Sequence, residues 1–163
     1  MKSTTKSAFC TIAALALALS AGVANAGATL DRVTANKKLV MSSDPEYPPQ
    51  SFLNDKNEMD GFDVEVGREI AKRMGATLEI ITPSWEIITA GRWNGRWDIS
   101  VGSMTPTKER AQVLDFPAIY YFVPAAFAVH KDSKASDSAA LNGKKIGVCG
   151  GCTYDAFLHG NLV

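Results

Sequence analysis

Residues 61–81 read GFDVEVGREIAKRMGATLEII, a helical pattern followed at once by a strand pattern. Apolar side chains recur at every fourth position with charged side chains between them, which predicts an amphipathic helix ended by Gly75; they are Phe62, Val66, Ile70 and Met74. The next segment, 77–81, alternates in the manner of a strand. A helix that leads directly into a strand favours an α/β fold.

The segments on either side continue this alternation. Residues 39–41 predict a buried strand, and the proline-rich stretch 42–51 that follows excludes a helix. Residues 85–92 predict a short helix and residues 98–101 a further strand. The hydroxyl residues and Pro106 of 105–110 suit the start of another helix. The expected architecture is therefore a sheet with helices packed on it.

A second unit begins near the carboxyl end. Residues 120–129 form a long apolar run, and the polar stretch 131–139 has the composition of a linker. Residues 145–148 then predict a strand, and residues 153–162 predict a helix after a glycine-rich turn. These features indicate the start of another α/β unit.

Residues 1–26 have the three parts of a secretory signal peptide. Lys2 and Lys6 precede an apolar stretch, 8–19, and the small-residue triplet Ala24-Asn25-Ala26 follows it. The apolar stretch is about half of the ~20 residues that span a bilayer. The pattern predicts cleavage after Ala26 and export from the cytoplasm.

The net charge and the histidine positions argue against several classes of function, and two cysteines suggest a disulfide. The chain has 17 basic and 17 acidic residues; without residues 1–26, which hold two lysines and no acid, the net charge becomes −2. Nothing in that balance points to nucleic acid or to anionic lipid. The two histidines, His130 and His159, are far apart, so a four-ligand zinc site is not expected. Cys149 and Cys152 are a candidate disulfide in an oxidising compartment, with two small buried thiols as the alternative.

An ordered set of motifs resembles the family 3 periplasmic amino-acid-binding proteins. The motifs are Gly61-Phe62-Asp63-Val64, Trp85, residues 98–110, Asp115-Phe116 and residues 144–153, and the match extends over residues 39–162. The resemblance implies a type II periplasmic binding protein-like α/β fold, in which two lobes close on an amino acid. It also implies a monomer without a cofactor, located in the periplasm, that delivers its ligand to the membrane permease and ATPase subunits of an ABC importer.

The same resemblance implies a domain organisation. Lobe 1 is expected at residues 27–130, a hinge or linker at 131–139, and the start of lobe 2 at 140–163, with the rest of lobe 2 absent. Half of a cleft cannot close on a ligand, so the chain is expected to bind weakly or to aggregate, and a fragment without function is one alternative.

Arg110 is the strongest candidate for a ligand-binding residue, since a guanidinium can hold an α-carboxylate through two charge-assisted hydrogen bonds. The alternative is an exposed arginine paired with Glu109 or Asp115. By resemblance, Gly102, Ser103 and Thr105 offer backbone and hydroxyl groups to the ligand, although the same residues suit an ordinary turn.

The remaining candidates would surround the ligand side chain and close the site. Tyr47 and Trp85 match the aromatic pair that sandwiches the side chain, and Asp44 matches a position that contacts a distal cation in relatives that bind basic amino acids. Thr153 matches a clamp on the carboxylate. Core packing for the aromatic residues and a turn at Asp44 are the alternatives.

Two enzymatic functions compete with binding. Cys149 and Cys152 have the spacing of a thiol oxidoreductase, at the start of an expected helix. A dehydratase-like or lytic enzyme on the same scaffold is the second competitor. No histidine paired with a carboxylate and no catalytic elbow or phosphate loop is evident in the sequence, so no catalytic residue is assigned.

Overall fold

Two three-stranded sheets and four α-helices form the part of the chain that the structure describes, residues 27–160 of a computed structural model. The predicted signal peptide, residues 1–26, lies outside the described residues. In chain order the elements are α1 (Ala28–Asn36), β1 (Lys38–Ser42), β2 (Glu46–Tyr47), β3 (Ser51–Leu53), β4 (Met59–Asp60), α2 (Phe62–Arg73), β5 (Thr77–Ile81), α3 (Trp85–Thr89), β6 (Ile99–Ser100), 3₁₀ helices at Arg110–Gln112 and Ser138–Leu141, and α4 (Thr153–Leu158).

The larger sheet is parallel, with the order β5-β1-β6. Strand β1 is the central strand; it pairs with β5 from Lys38 opposite Thr77, and with β6 from Met41 opposite Ile99. Because the strands are parallel, the chain leaves all three at the same edge of the sheet. Ligands of open α/β sheets bind at this edge, and the candidate residues that follow β1 and β6 begin there. The predicted α/β class is confirmed.

Helix α2 packs on this sheet with a different face from the one predicted. Its buried residues are Asp63, Val64, Gly67 and Ala71, whereas Phe62 is 49% exposed. The reason is close packing: a Cβ atom on Gly67 would lie 2.2 Å from the Met41 sulfur, so a larger residue at this position would require the Met41 side chain or the helix to move. The small side chains of Gly67 and Ala71 thus lie on the buried face of α2. The predicted apolar stripe, which begins at Phe62, lies at the margin of that face.

The smaller, antiparallel sheet was not predicted. Strands β2, β3 and β4 each have two or three residues and pair in the order β2-β3-β4, within and after the segment that was assigned to turns. Helix α1 was also missed; its residue Val33 is buried and joins Leu39 and Ala71 in the core. Strands this short carry too few residues to display a periodicity.

Two predicted elements after β6 are wrong or displaced. Residues 145–148 are irregular, because the described residues contain no strand beside them to complete a ladder. The helix expected from Thr105 begins at Arg110 as one 3₁₀ turn.

Exposed apolar side chains are frequent in residues 119–129, where Phe122 is 88% exposed to solvent. No helix among residues 27–160 is both long and apolar enough to cross a bilayer.

Asp98 joins α1 to the parallel sheet. Its side chain is 4% exposed, pairs with Arg32, and accepts a hydrogen bond of 2.8 Å from the Val40 N–H. Removing the carboxylate leaves that N–H without its partner, so we expect Asp98→Ala to lower the free energy of unfolding by about 1–3 kcal/mol. Chemical denaturation of the purified variant measures this change.

Arg32→Ala is the matched control, because it removes the ion pair and keeps the hydrogen bond to β1. The Arg32 side chain is 44% exposed, and an exposed ion pair contributes about 0–1 kcal/mol. An equal decrease in the free energy of unfolding of both variants would show that the ion pair, and not the hydrogen bond, accounts for the contribution of Asp98.

Candidate functional site

Arg110 is buried at the end of the loop that follows β6, with 8% of its surface exposed. Its Nη1 donates to the Thr105 carbonyl at 2.9 Å, and its Nη2 donates to the Gly151 carbonyl at 3.2 Å. The Arg110 backbone N–H donates to the Thr107 hydroxyl at 3.2 Å. The side chain thus bridges the β6 loop and the glycine turn before α4.

The guanidinium of Arg110 also lies over the ring of Trp85, with Cζ 5.3 Å from the ring centroid. Burial lowers the pKa of Arg110, and the nearby charge of Glu109 opposes that change; the group remains protonated. No carboxylate among the described residues lies within 4.0 Å of the guanidinium, so the ion pairs with Glu109 or Asp115 that were the alternative are not formed. The positive charge is held by neutral carbonyls and an aromatic face.

Tyr47 faces α4 across the site. Its hydroxyl lies 3.3 Å from the hydroxyl of Tyr154. This hydrogen bond is the main cause that raises the pKa of Tyr47 to about 12, with burial adding to it. The Tyr47 phenol therefore stays protonated and can donate one hydrogen bond and accept another.

A buried carboxylate lies behind Ser103. Asp63, on the first turn of α2, is 0% exposed and accepts a hydrogen bond of 2.8 Å from the Tyr120 hydroxyl. The Ser103 hydroxyl lies 3.5 Å from the other carboxylate oxygen and also contacts the Tyr121 hydroxyl. Burial raises the pKa of Asp63, while the hydrogen bonds from Tyr120 and Ser103 lower it.

The other candidate residues make local contacts. Asp44 accepts a hydrogen bond of 2.9 Å from the Glu46 N–H, an Asx turn, and its contacts do not reach Arg110 or Trp85. The Gly102 carbonyl accepts from the Met104 N–H at 2.8 Å. Thr153 is the first residue of α4. The structure thus connects Arg110, Trp85 and Thr105 directly, and places Ser103 in a second, adjoining network.

Cys149 and Cys152 are joined by a disulfide. The bond closes the glycine turn whose Gly151 carbonyl receives the Arg110 guanidinium. It therefore constrains one of the two carbonyls that hold the guanidinium. Among residues 27–160 no three histidine, cysteine, aspartate or glutamate side chains converge as metal ligands.

Sequence reasoning missed four contributors to the site. They are Asp63, Tyr120, Tyr121 and the Gly151 carbonyl. Asp63 was counted among the charged residues that lie away from the predicted apolar stripe of its helix. Its spacing of four from Gly67, which is in turn four from Ala71, is the pattern that could have indicated a buried side. A backbone carbonyl leaves no signal in the sequence at all.

The model of the bacterial extracellular solute-binding proteins, family 3, matches residues 39–146, which include Trp85, Arg110 and all of the parallel sheet except Lys38. The chain belongs to this family. The chain spans about half the length of the curated relatives of the family that it matches. It is 29% identical to the L-cystine-binding protein TcyJ of Escherichia coli over 82% of this chain and 51% of the relative. It is 31% identical to the arginine-binding extracellular protein ArtP of Bacillus subtilis, over 83% and 52% of the two chains.

Solved structures superimpose on about half of this chain. The arginine-bound form of domain 1 of TmArgBP, from T. maritima, has a TM-score of 0.53 and 27% identity, over 56% of this chain and 72% of that one. An ancestral cyclohexadienyl dehydratase has a TM-score of 0.50 and 26% identity, over 53% and 36%. The scaffold of a solute-binding protein is therefore also the scaffold of an enzyme.

Proposed function

We propose that this chain binds a polar amino acid and serves as the substrate-binding component of an ABC importer. The proposal includes export to the periplasm through a signal peptide cleaved after Ala26, and delivery of the ligand to permease and ATPase subunits. Residues 27–130 would form lobe 1 and residues 140–163 the start of lobe 2, joined by 131–139. Relatives that bind cystine and arginine support the class of ligand.

The observation that carries the proposal is the environment of Arg110. Among residues 27–160 the buried guanidinium is bonded to carbonyls and has no carboxylate partner, so it keeps a full positive charge in a site of low dielectric. An anion that reaches it gains more than it would at an exposed arginine. The α-carboxylate, common to all amino acids, has the charge and the planar shape to meet it.

The second part of the site suits the rest of an amino acid. Trp85 and Tyr47 offer aromatic surface, and the tyrosine hydroxyls and Ser103 offer hydrogen bonds. Stacking on an aromatic face favours flat or cationic side chains by about 0.5–2 kcal/mol. Asp44 would add selectivity for a basic ligand if its carboxylate left the Asx turn.

The test is a calorimetric titration of the protein purified from bacteria that express the full 163-residue chain. The panel is the twenty amino acids with ornithine and cystine, and the mass of the purified protein reports cleavage at Ala26. We expect weak but saturable binding of at least one member, because only part of the cleft is available to close on it. The arginine-bound domain 1 of TmArgBP supports the use of a chain with one complete lobe. If none of the compounds in the panel gave a binding signal, that result would contradict the proposal for this chain.

An enzyme is the second candidate, and the likeness to an ancestral cyclohexadienyl dehydratase favours it. Asp63, a carboxyl group whose pKa is raised, would be the general acid of such an enzyme. Its side chain is 0% exposed and would have to become accessible to a substrate. Adding a cyclohexadienyl carboxylate to the panel, with mass analysis of the recovered compound, separates the two functions. Recovery of an altered compound would favour the enzyme.

A further inference from the structure

We propose that the disulfide between Cys149 and Cys152 is a redox-sensitive control on the ligand site. In the oxidised chain the turn between the two cysteines would hold Arg110 in its binding orientation, and reduction by a dithiol would release Arg110 and weaken binding. This inference rests on the proposed function. It differs from the activity of a thiol oxidoreductase, because the cysteines pass no electrons to the ligand and only set the affinity for it.

The turn between the two cysteines has little besides the disulfide to hold it. Gly150 and Gly151 are exposed, and a Cβ atom on either would meet nothing within 4 Å, so no packing fixes them. The Gly151 N–H donates to the Asp155 carboxylate at 3.4 Å, at the long end of the range for a hydrogen bond. Glycine also has the greatest conformational freedom of any residue. The disulfide is therefore the strongest constraint on this turn.

The turn reaches the site through a single carbonyl. Gly151 accepts a hydrogen bond from Nη2 of Arg110 at 3.2 Å, while Nη1 donates to Thr105 in a separate segment at 2.9 Å. The two carbonyls together fix the plane of the guanidinium. Without the Gly151 carbonyl, Arg110 would be anchored at one end and free to turn. A carboxylate that needs two parallel N–H groups would then have to order the guanidinium as it binds, which lowers its affinity.

The two cysteines differ in exposure, and this difference sets the course of reduction. Cys149 is exposed, whereas Cys152 is 8% exposed. A thiolate of the dithiol attacks the exposed Cys149 sulfur, which breaks the S–S bond and releases Cys152 as a thiolate that takes up a proton. The second thiol of the dithiol then attacks the mixed disulfide and releases Cys149 as the other thiol. The chain gains two electrons and two protons, and the dithiol becomes a disulfide.

The first test needs no ligand, because coupling between two sites is reciprocal. If the turn holds Arg110, then Arg110 stabilises the oxidised turn. We expect Arg110→Ala to shift the equilibrium with dithiothreitol toward the reduced chain by about fivefold, the contribution of about one hydrogen bond. The free thiols of the purified protein are counted by alkylation and mass at about pH 6.5, where a thiol of ordinary pKa is protonated.

Arg96→Ala is the matched control for this shift. Arg96 donates to the Trp93 carbonyl and lies over Trp97, so its loss should leave the redox equilibrium of the disulfide unchanged. The same equilibrium in Arg110→Ala and in the parent chain would overturn the inference.

The second test measures affinity for the amino acid of the panel that binds the oxidised parent chain best. Reduction with dithiothreitol should weaken this binding by about fivefold, and the ligand should shift the redox equilibrium toward the disulfide by the same factor. A double variant, Cys149→Ser with Cys152→Ser, should bind like the reduced parent and should not respond to dithiothreitol. It keeps Cys10, so it also controls for that cysteine. Equal affinities of the oxidised and reduced parent would contradict the inference.

Chemical denaturation separates this control from a purely structural disulfide. We expect the reduced parent chain to stay folded, because the core cluster of Val33, Leu39 and Ala71 lies in other elements. A loss of affinity that only follows the unfolding of the reduced chain would overturn the inference in favour of a structural role. If no amino acid binds the oxidised parent chain, the proposed function fails. The redox equilibrium of Arg110→Ala then still decides whether the turn and Arg110 are coupled.

Discussion

Replacing Arg110 with alanine is expected to weaken amino-acid binding by about 30-fold or more. Truncating one partner of a buried, hydrogen-bonded charge pair costs about 2–5 kcal/mol, and about 1.4 kcal/mol corresponds to a factor of ten. The loss would combine the charge-assisted bonds that we propose Arg110 makes to the carboxylate with its stacking on Trp85. Calorimetric titration with the best ligand of the panel measures the effect.

Arg110→Lys distinguishes geometry from charge. Lysine keeps the positive charge but cannot donate two parallel hydrogen bonds, so we expect an affinity between those of the parent and of Arg110→Ala. Arg96→Ala is the matched control, since Arg96 also lies over a tryptophan, 5.0 Å from the centroid of Trp97, without contacting the site. A similar loss of ligand affinity in the Arg96→Ala and Arg110→Ala variants would mean that both arginines act only by stabilising the fold.

Gly61→Ala is expected to destabilise the fold more than any other single-methyl change proposed for this chain. Gly61 has a φ of +114°, and a Cβ there would lie 2.4 Å from the Gln50 carbonyl oxygen and 2.8 Å from that of Pro49. Backbone atoms cannot move aside as a side chain can. Strain and overpacking together should lower the free energy of unfolding by about 3 kcal/mol or more, which thermal and chemical denaturation would report.

Gly75→Ala provides the control for the dihedral angle alone. Gly75 also has a positive φ, +63°, but a Cβ there would meet nothing within 4 Å, so the cost should be about 1–2 kcal/mol. Equal costs at the two glycines would show that the approach to Gln50 is unimportant. The same carbonyl also fixes the start of α2, because the Asp63 N–H donates to it at 2.8 Å.

Most of the elements that could be predicted have enough residues to show a period; the two-residue β6, expected at residues 98–101, is the exception. Helix α2 and strands β1 and β5 were found in this way, and Trp85 begins α3 as expected. The two- and three-residue strands of the smaller sheet have no such period. The strand expected at residues 145–148 had the right composition, but a strand also needs a partner, and composition does not contain that information.

The candidate site was predictable to a similar extent. The resemblance pointed to Arg110 and Trp85, and these two residues do lie against each other. Asp63 and Tyr120 are 57 residues apart, and Arg110 and Gly151 are 41 apart. Contacts over such distances depend on the packing of α2 and on the path of the loop after β6. No local pattern indicates them.

Because Arg110 lies over the ring of Trp85, the fluorescence of Trp85 can report on the site. The emission of an indole ring responds to charge and solvent next to it, and here a guanidinium lies 5.3 Å from the ring centroid. An anion that draws the guanidinium from its position would change that emission. Trp93 and Trp97 form a separate pair with centroids 5.3 Å apart and would supply a constant background. Ligand titrations could then be followed by intrinsic fluorescence, without a label or a competing dye.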